Sequence, residues 1–262
     1  MALQKKIEKK ISESIKFIYR KGNLDIFEHF RVNFYETKSN YLLILHDDDF
    51  LDTNYLLHIK KFINENPNFG LVATNGYYFT NINEQENFKQ IFKIDEKTIN
   101  YKLIEKKILY KYLDYDLGGV APFSSYFYNV RKVRNSQIVL PSLSRCGYVD
   151  DAAFLIQSTK FLELYWINKK IIFIRRHNKS HTLISLLDYK LFVSYVSQKF
   201  EKNLELVVKL KKFRFFCFLS NRRPITKKNI KIYFKVCIFL LLKSSYFRYL
   251  IFNKIRKFLK LK

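Results

Sequence analysis

The stretch "YLLILHDDDFLDTNYL", residues 41–56, sets three carboxylates directly behind an apolar run. Adjacent like charges repel, so Asp47, Asp48 and Asp49 need a physical reason to sit together. The run over 41–46 has strand length and no polar alternation, the pattern of a strand buried on both faces of a parallel sheet. Downstream, Asp52 or Thr53 is placed to cap a helix that reaches about Asn66 and is stopped by Pro67. "GLVATNGYYF", residues 70–79, then reads as a strand.

The same alternation extends upstream. Leu3, Ile7 and Ile11 predict an amphipathic helix over 2–14, "IKFIY" a strand over 15–19, and "KGN" a turn at 21–23. Residues 25–38 predict a helix with Ile26, Phe30 and Phe34 on one face. Helix, strand, helix, strand is the signature of an α/β fold with a mostly parallel sheet flanked by helices. Further on, the pattern predicts a helix over 97–113 and a glycine-led loop entering a strand over 118–130. A helix follows over 150–165, then a short strand over 170–177. After 183 only helical patterns occur, broken near 220–229. The expected division is a domain over 1–182 and a helical basic extension over 183–262.

With 48% hydrophobic residues the 262-residue chain can bury a sizeable core, which excludes global disorder. The net charge of +25 favours anionic partners such as phosphates, nucleic acid or an anionic membrane face. Cys146, Cys217 and Cys237 are odd in number and lack CxxC spacing, so they read as free thiols of a reducing compartment. The N-terminal "MALQKKIEKKISES" is too charged for a signal peptide. The apolar run 236–242 falls far short of the roughly 20 residues a spanning helix needs.

Ligands of open α/β sheets bind outside the carboxyl ends of the strands, where the three aspartates fall. A divalent cation held by these carboxylates would relieve their repulsion and bind substrate phosphates. The competing reading is a solvated loop whose charge favours the following helix N-terminus. His46 fits a packed strand end as well as a ligand.

In this context "SNYLLILHDDDFLDTNYLLHIKKFINENPNFGLVATNGYYF" resembles the centre of a family 2 glycosyltransferase of the GT-A fold. The upstream stretch fits that family through Asn23, Arg31 and Asn33, with Asp25 standing where a glycine is usual. The resemblance covers roughly residues 10–182. It implies transfer of a sugar from a nucleotide-diphosphate sugar to an acceptor hydroxyl, with Mn²⁺ or Mg²⁺ bound. By that likeness Asp49 is the foremost metal ligand, with Asp47 contacting donor and metal. Asp48, Asn23 and Arg31 would belong to the donor site. "GYVDDAAFLI", residues 147–156, resembles the family's glycine followed by an acid–Asp pair. Asp151, with Asp150 second, would then be the general base of an inverting reaction. A helix cap with a first-turn acid explains the same pair without catalysis. In "RRHNKSH", residues 175–181, His177 matches a metal- or diphosphate-side histidine of some relatives, and Arg176 suits a phosphate. A solvated basic loop is the plain alternative. "GGVAPFSS" fits an acceptor wall or a simple turn.

Judged against that family's βαβ units, the first ~40 residues of the fold are missing, so the expectation is a truncated domain. Residues 204–262 interleave Lys and Arg with Phe, Leu, Ile and Tyr, the composition of helices that lie on an anionic leaflet. Nucleic-acid binding is the rival reading, without a recognised motif. The expected setting is the cytoplasmic side of a membrane, as a peripheral enzyme of cell-surface glycan synthesis. Its partners would be a nucleotide sugar and a glycan or lipid-linked acceptor. The alternative is an inactive remnant that only binds membranes or a partner protein.

Overall fold

The computed structural model describes residues 24–81, 88–91, 100–113, 121–176, 186–220, 227–245, 247–249, 251 and 252, together with 18 and 22. The helix expected over 2–14 and, Ile18 apart, the strand over 15–19 lie outside the described residues.

Helix α1 (Ile26–Glu36) starts at a capping box: the Asp25 carboxylate accepts from the amides of Phe27 and Glu28, and Glu28 reaches back to the Asp25 amide. Its buried face is Phe27, Phe30 and Phe34, while Ile26 stays exposed. Strand β1 (Tyr41–Leu43) is only three residues long, and β2 (Phe50–Leu51) follows the aspartates. Asp52 accepts from the Asn54 amide at 2.8 Å and turns the chain into α2 (Tyr55–Glu65), which ends just before Pro67.

The long strands β3 (Phe69–Phe79) and β7 (Glu163–Arg175) pair in parallel along most of their length. They touch so closely that a Cβ on Gly76 would sit 1.8 Å from the Ile172 carbonyl oxygen. Between them in sequence come β4 (Lys89–Gln90), β5 (Asn100–Leu103), α3 (Glu105–Leu113), β6 (Tyr126–Asn129), α4 (Val130–Arg134), α5 (Leu143–Cys146) and α6 (Asp150–Phe161). After β7 run α7 (Leu186–Lys199), α8 (Leu204–Ser220) and α9 (Lys227–Lys243). Two expected helices are therefore shorter. Residues 100–103 of the one expected over 97–113 form a strand, and the one expected over 150–165 yields to β7 at Glu163.

The sheet order is β1-β6-β3-β7-β2, with β4 on β3 and β5 on β7. It is mixed, which corrects the mostly parallel sheet expected from the alternation. Only β3 and β7 pair in parallel among the described ladders; the others are antiparallel. Nor, among the described residues, is β1 an interior strand buried on both faces. It stands at one end of the order, with Tyr41 exposed and Leu42 and Leu43 half-buried. The reason is β6, which inserts between β1 and β3. Since β1 and β3 are both antiparallel to β6, they run the same way as each other and as β7. The carboxyl ends of β1, β3 and β7 and the amino end of β6 thus share one edge of the sheet.

Alternate residues feed two cores. Leu71, Tyr126, Tyr128 and Trp166 point to one side, with Phe30, Phe34 and Phe154 packed on them. Val72, Phe127 and Ile167 point to the other, beneath Tyr55, Ile59 and Phe62 of α2. Phe192 and Val196 of α7, and Leu206, Leu210 and Phe213 of α8, belong to the first core.

Candidate functional site

The chain leaves β1 and turns back on itself, the Asp49 amide donating to the His46 carbonyl at 3.2 Å. This tucks Asp49 inward, leaving it 8% exposed, while Asp48 is half-buried and Asp47 exposed. Two other elements close on the Asp49 carboxylate. The Arg175 amide, at the end of β7, donates to Oδ1 at 2.9 Å. The Ser124 hydroxyl, just ahead of β6, donates to Oδ2 at 3.2 Å. The Nδ1 of His46 stands 3.8 Å from Oδ2. Burial pushes the Asp49 carboxyl above its usual range and Asp48 adds to this; the Arg175 amide, His46 and Ser124 oppose it.

His46, Asp48 and Asp49 each offer one ligand atom, and these atoms lie within 4.8 Å of one another. Asp47 is not among the three. One imidazole and two carboxylates suit Mn²⁺, and the oxygens alone suit Mg²⁺. The fit has a physical basis here: a buried carboxylate beside a second acid is disfavoured as an anion, and a cation would reverse that.

Arg176 follows directly. Its amide donates to the Phe79 carbonyl at 2.7 Å, and its guanidinium lies 3.6 Å from the centre of the Tyr78 ring. Arg176 thus follows in sequence the residue whose amide bonds Asp49, with its own guanidinium over Tyr78. His177, Asn23 and the glycines of "GGVAPFSS" lie outside the described residues. Arg31 pairs with Glu28 of its own helix at 3.8 Å, both side chains well exposed.

The two acids at the start of α6 have different surroundings. Asp150 is fully buried and committed to the turn before the helix. Its Oδ1 accepts from Arg145 Nε and its Oδ2 from the Ser142 amide, both at 2.7 Å. The Cys146 thiol also bonds it, and burial pushes that thiol up to about 12, so it stays protonated. Asp151 is only half-buried, and its Oδ1 accepts from the Ala152 amide at 2.7 Å. Desolvation pushes its carboxyl up to about 7, against the pull of backbone N–H groups and with help from Asp150.

The segment 123–126 links these acids to the aspartate trio. Ser124 bonds Asp49, while Tyr126 lies within electrostatic reach of Asp151 and accepts from Trp166 Nε1 at 2.9 Å. Phe123 fastens the segment to α1 and α6, its ring 4.9 Å from that of Phe30 and 6.1 Å from that of Phe154. The sequence offers Ser124 only within "GGVAPFSS", as part of an acceptor wall or a turn; nothing local marks its partner 75 positions away. A concavity of about 710 Å³ opens away from this site, at the opposite edge of the sheet, lined by Tyr41, Asn129 and Leu162 among others.

No protein-family model matches the chain, and no curated protein matches it. Among solved structures it is similar to S. aureus TarS 1–349, with a TM-score of 0.49 at 10% sequence identity. That match covers 82% of this chain, which spans 60% of the other.

Proposed function

We propose that this chain is a metal-dependent glycosyltransferase, moving a sugar from a nucleotide-diphosphate sugar to an acceptor hydroxyl with inversion, in cell-surface glycan synthesis. The observation that carries the reading is the assembly around Asp49. A buried carboxylate at the carboxyl edge of the sheet is gripped by Ser124, just ahead of β6, and by the end of β7, with His46 and Asp48 beside it. A cation bound by His46, Asp48 and Asp49 would supply positive charge against a departing diphosphate. Asp47, exposed at the same turn, and Arg176 would hold donor phosphate and sugar oxygens. Asp151, with a carboxyl near 7, is matched to accept the acceptor hydroxyl's proton. The acceptor oxygen bonds the anomeric carbon as the bond to the diphosphate oxygen breaks, and the nucleoside diphosphate leaves with its electron pair. One displacement inverts the anomeric centre.

A second reading, a chain that binds the donor without turning it over, is favoured by the position of β1. The strand that carries the aspartates is paired on one side only among the described residues. Thermal melting with Mn²⁺ and a panel of nucleoside diphosphates tests both. Stabilisation that disappears in Asp49→Asn, together with release of nucleoside diphosphate from a sugar nucleotide, supports the transferase. Stabilisation without turnover supports the second reading. No shift with any of them removes both.

A further inference from the structure

Among the described residues, one side of helix α9 has nothing packed on it. Val236 and Leu240, with Phe247 just beyond, form a small core with Val208 of α8, and Lys211 lies 3.6 Å from the centre of the Phe239 ring. On the opposite side Phe234, Ile238, Leu241, Leu242, Tyr249 and Phe252 are exposed, Leu242 by 70% and Phe234 by 66%. At 100° per residue these six fall within an arc of about 100°, which is the apolar stripe of an amphipathic helix turned outward. The helical phase persists past Lys243: the Ser244 amide donates to Leu240 and the Arg248 amide to Ser244. Lys235 and Arg248, both exposed, flank the stripe on either side. No Asp or Glu follows Glu205, while residues 206–262 carry 17 Lys and Arg.

We infer that this outward face is a docking surface for an anionic lipid bilayer. Charge decides the occupant. A second copy of the chain would bring the same uncompensated positive field to the contact, which opposes pairing. Nucleic acid would neutralise the lysines but leave Ile238, Leu241 and Leu242 against a phosphate backbone that has no place for aliphatic side chains. An anionic leaflet satisfies both parts: headgroup phosphates meet the Lys and Arg, and the acyl boundary takes the stripe. The helix lies on the surface rather than through it, since among the described residues no helix is long and apolar enough to cross a membrane. The inference is independent of the transferase reading, because none of its residues belongs to the aspartate site.

The test is co-sedimentation of the full chain with phosphatidylglycerol-containing vesicles, with phosphatidylcholine vesicles and with single-stranded RNA, alongside sedimentation velocity. The protein is expected to pellet with the anionic vesicles, to do so less at high salt, and to stay in solution with neutral ones. The double variant Phe234→Ser/Leu242→Ser, altered only where side chains face solvent, is expected to keep its melting temperature and to lose about tenfold or more in vesicle partitioning. Four results would each overturn the inference: a wild type left in the supernatant with anionic vesicles; equal binding by the double variant; binding to RNA but not to vesicles; or a dimer that the same two substitutions dissolve.

Discussion

Asp150 and Asp151 are neighbours of one type, yet their surroundings separate them. Asp150 is enclosed by Arg145, Ser142 and Cys146, so it holds a turn. Arg145→Ala would remove the cation that pairs with this buried carboxylate, at a cost of about 3–5 kcal/mol in a denaturant titration. Asp151→Asn is expected instead to keep the fold and to lower kcat by about 10²–10⁴-fold. As a base Asp151 must be ionised, so wild-type activity should climb as pH rises through about 7 and flatten above it. Stability should move the opposite way. The folded carboxyl binds its proton more tightly than the unfolded one, so melting temperature should fall as pH rises from about 4 to 7, and Asp151→Asn should flatten that slope. Ser124→Ala removes one donor from the Asp49 carboxylate without touching the ligand set. Calorimetric titration with Mn²⁺ should show affinity reduced by about 10–100-fold.

At the scale of elements, local signals were read well where they were local. The Pro67 stop and the strand over 70–79 depend on residues close to each other in the chain. The misreadings share a cause. An apolar run such as 41–46 reports burial but not direction, and β6 reverses the ladder beside it. Ile26 and Phe27 are equally apolar, and only the packing of α1 on the sheet selects Phe27. Gly147 shows the same dependence on distant partners. It holds φ at +61°, and a Cβ there would lie 1.8 Å from Asp188 Oδ1 of α7. Gly147→Ala is therefore expected to cost about 1–3 kcal/mol, read as a lower denaturant midpoint, and to disturb the turn that leads into Asp151.

At the scale of the molecule, the helices beyond 183 do more than extend it. Phe192, Val196, Leu206, Leu210 and Phe213 share a core with Leu71, Tyr126 and Trp166 of the sheet. Phe192→Ala should destabilise the protein by about 3–5 kcal/mol, and a chain ending at 182 should fail to give a cooperative melt, because that face would lie open to water. The charge is laid out on the same scale, with acids before Glu205 and an unbroken basic remainder after it. Amino-acid order by itself determined that three aspartates follow a strand, that an acid pair opens a helix, and that the last stretch is basic and amphipathic. These are properties of neighbours in the chain. Tertiary structure alone decided that Asp49 and not Asp47 is buried, that His46 joins Asp48 and Asp49, and that Ser124 and Arg175 grip the site. Tertiary structure likewise selected which of Asp150 and Asp151 is committed to a turn. Burial and hydrogen bonding are set by segments that meet only when the sheet closes, and strand order carries no period for a local pattern to reveal.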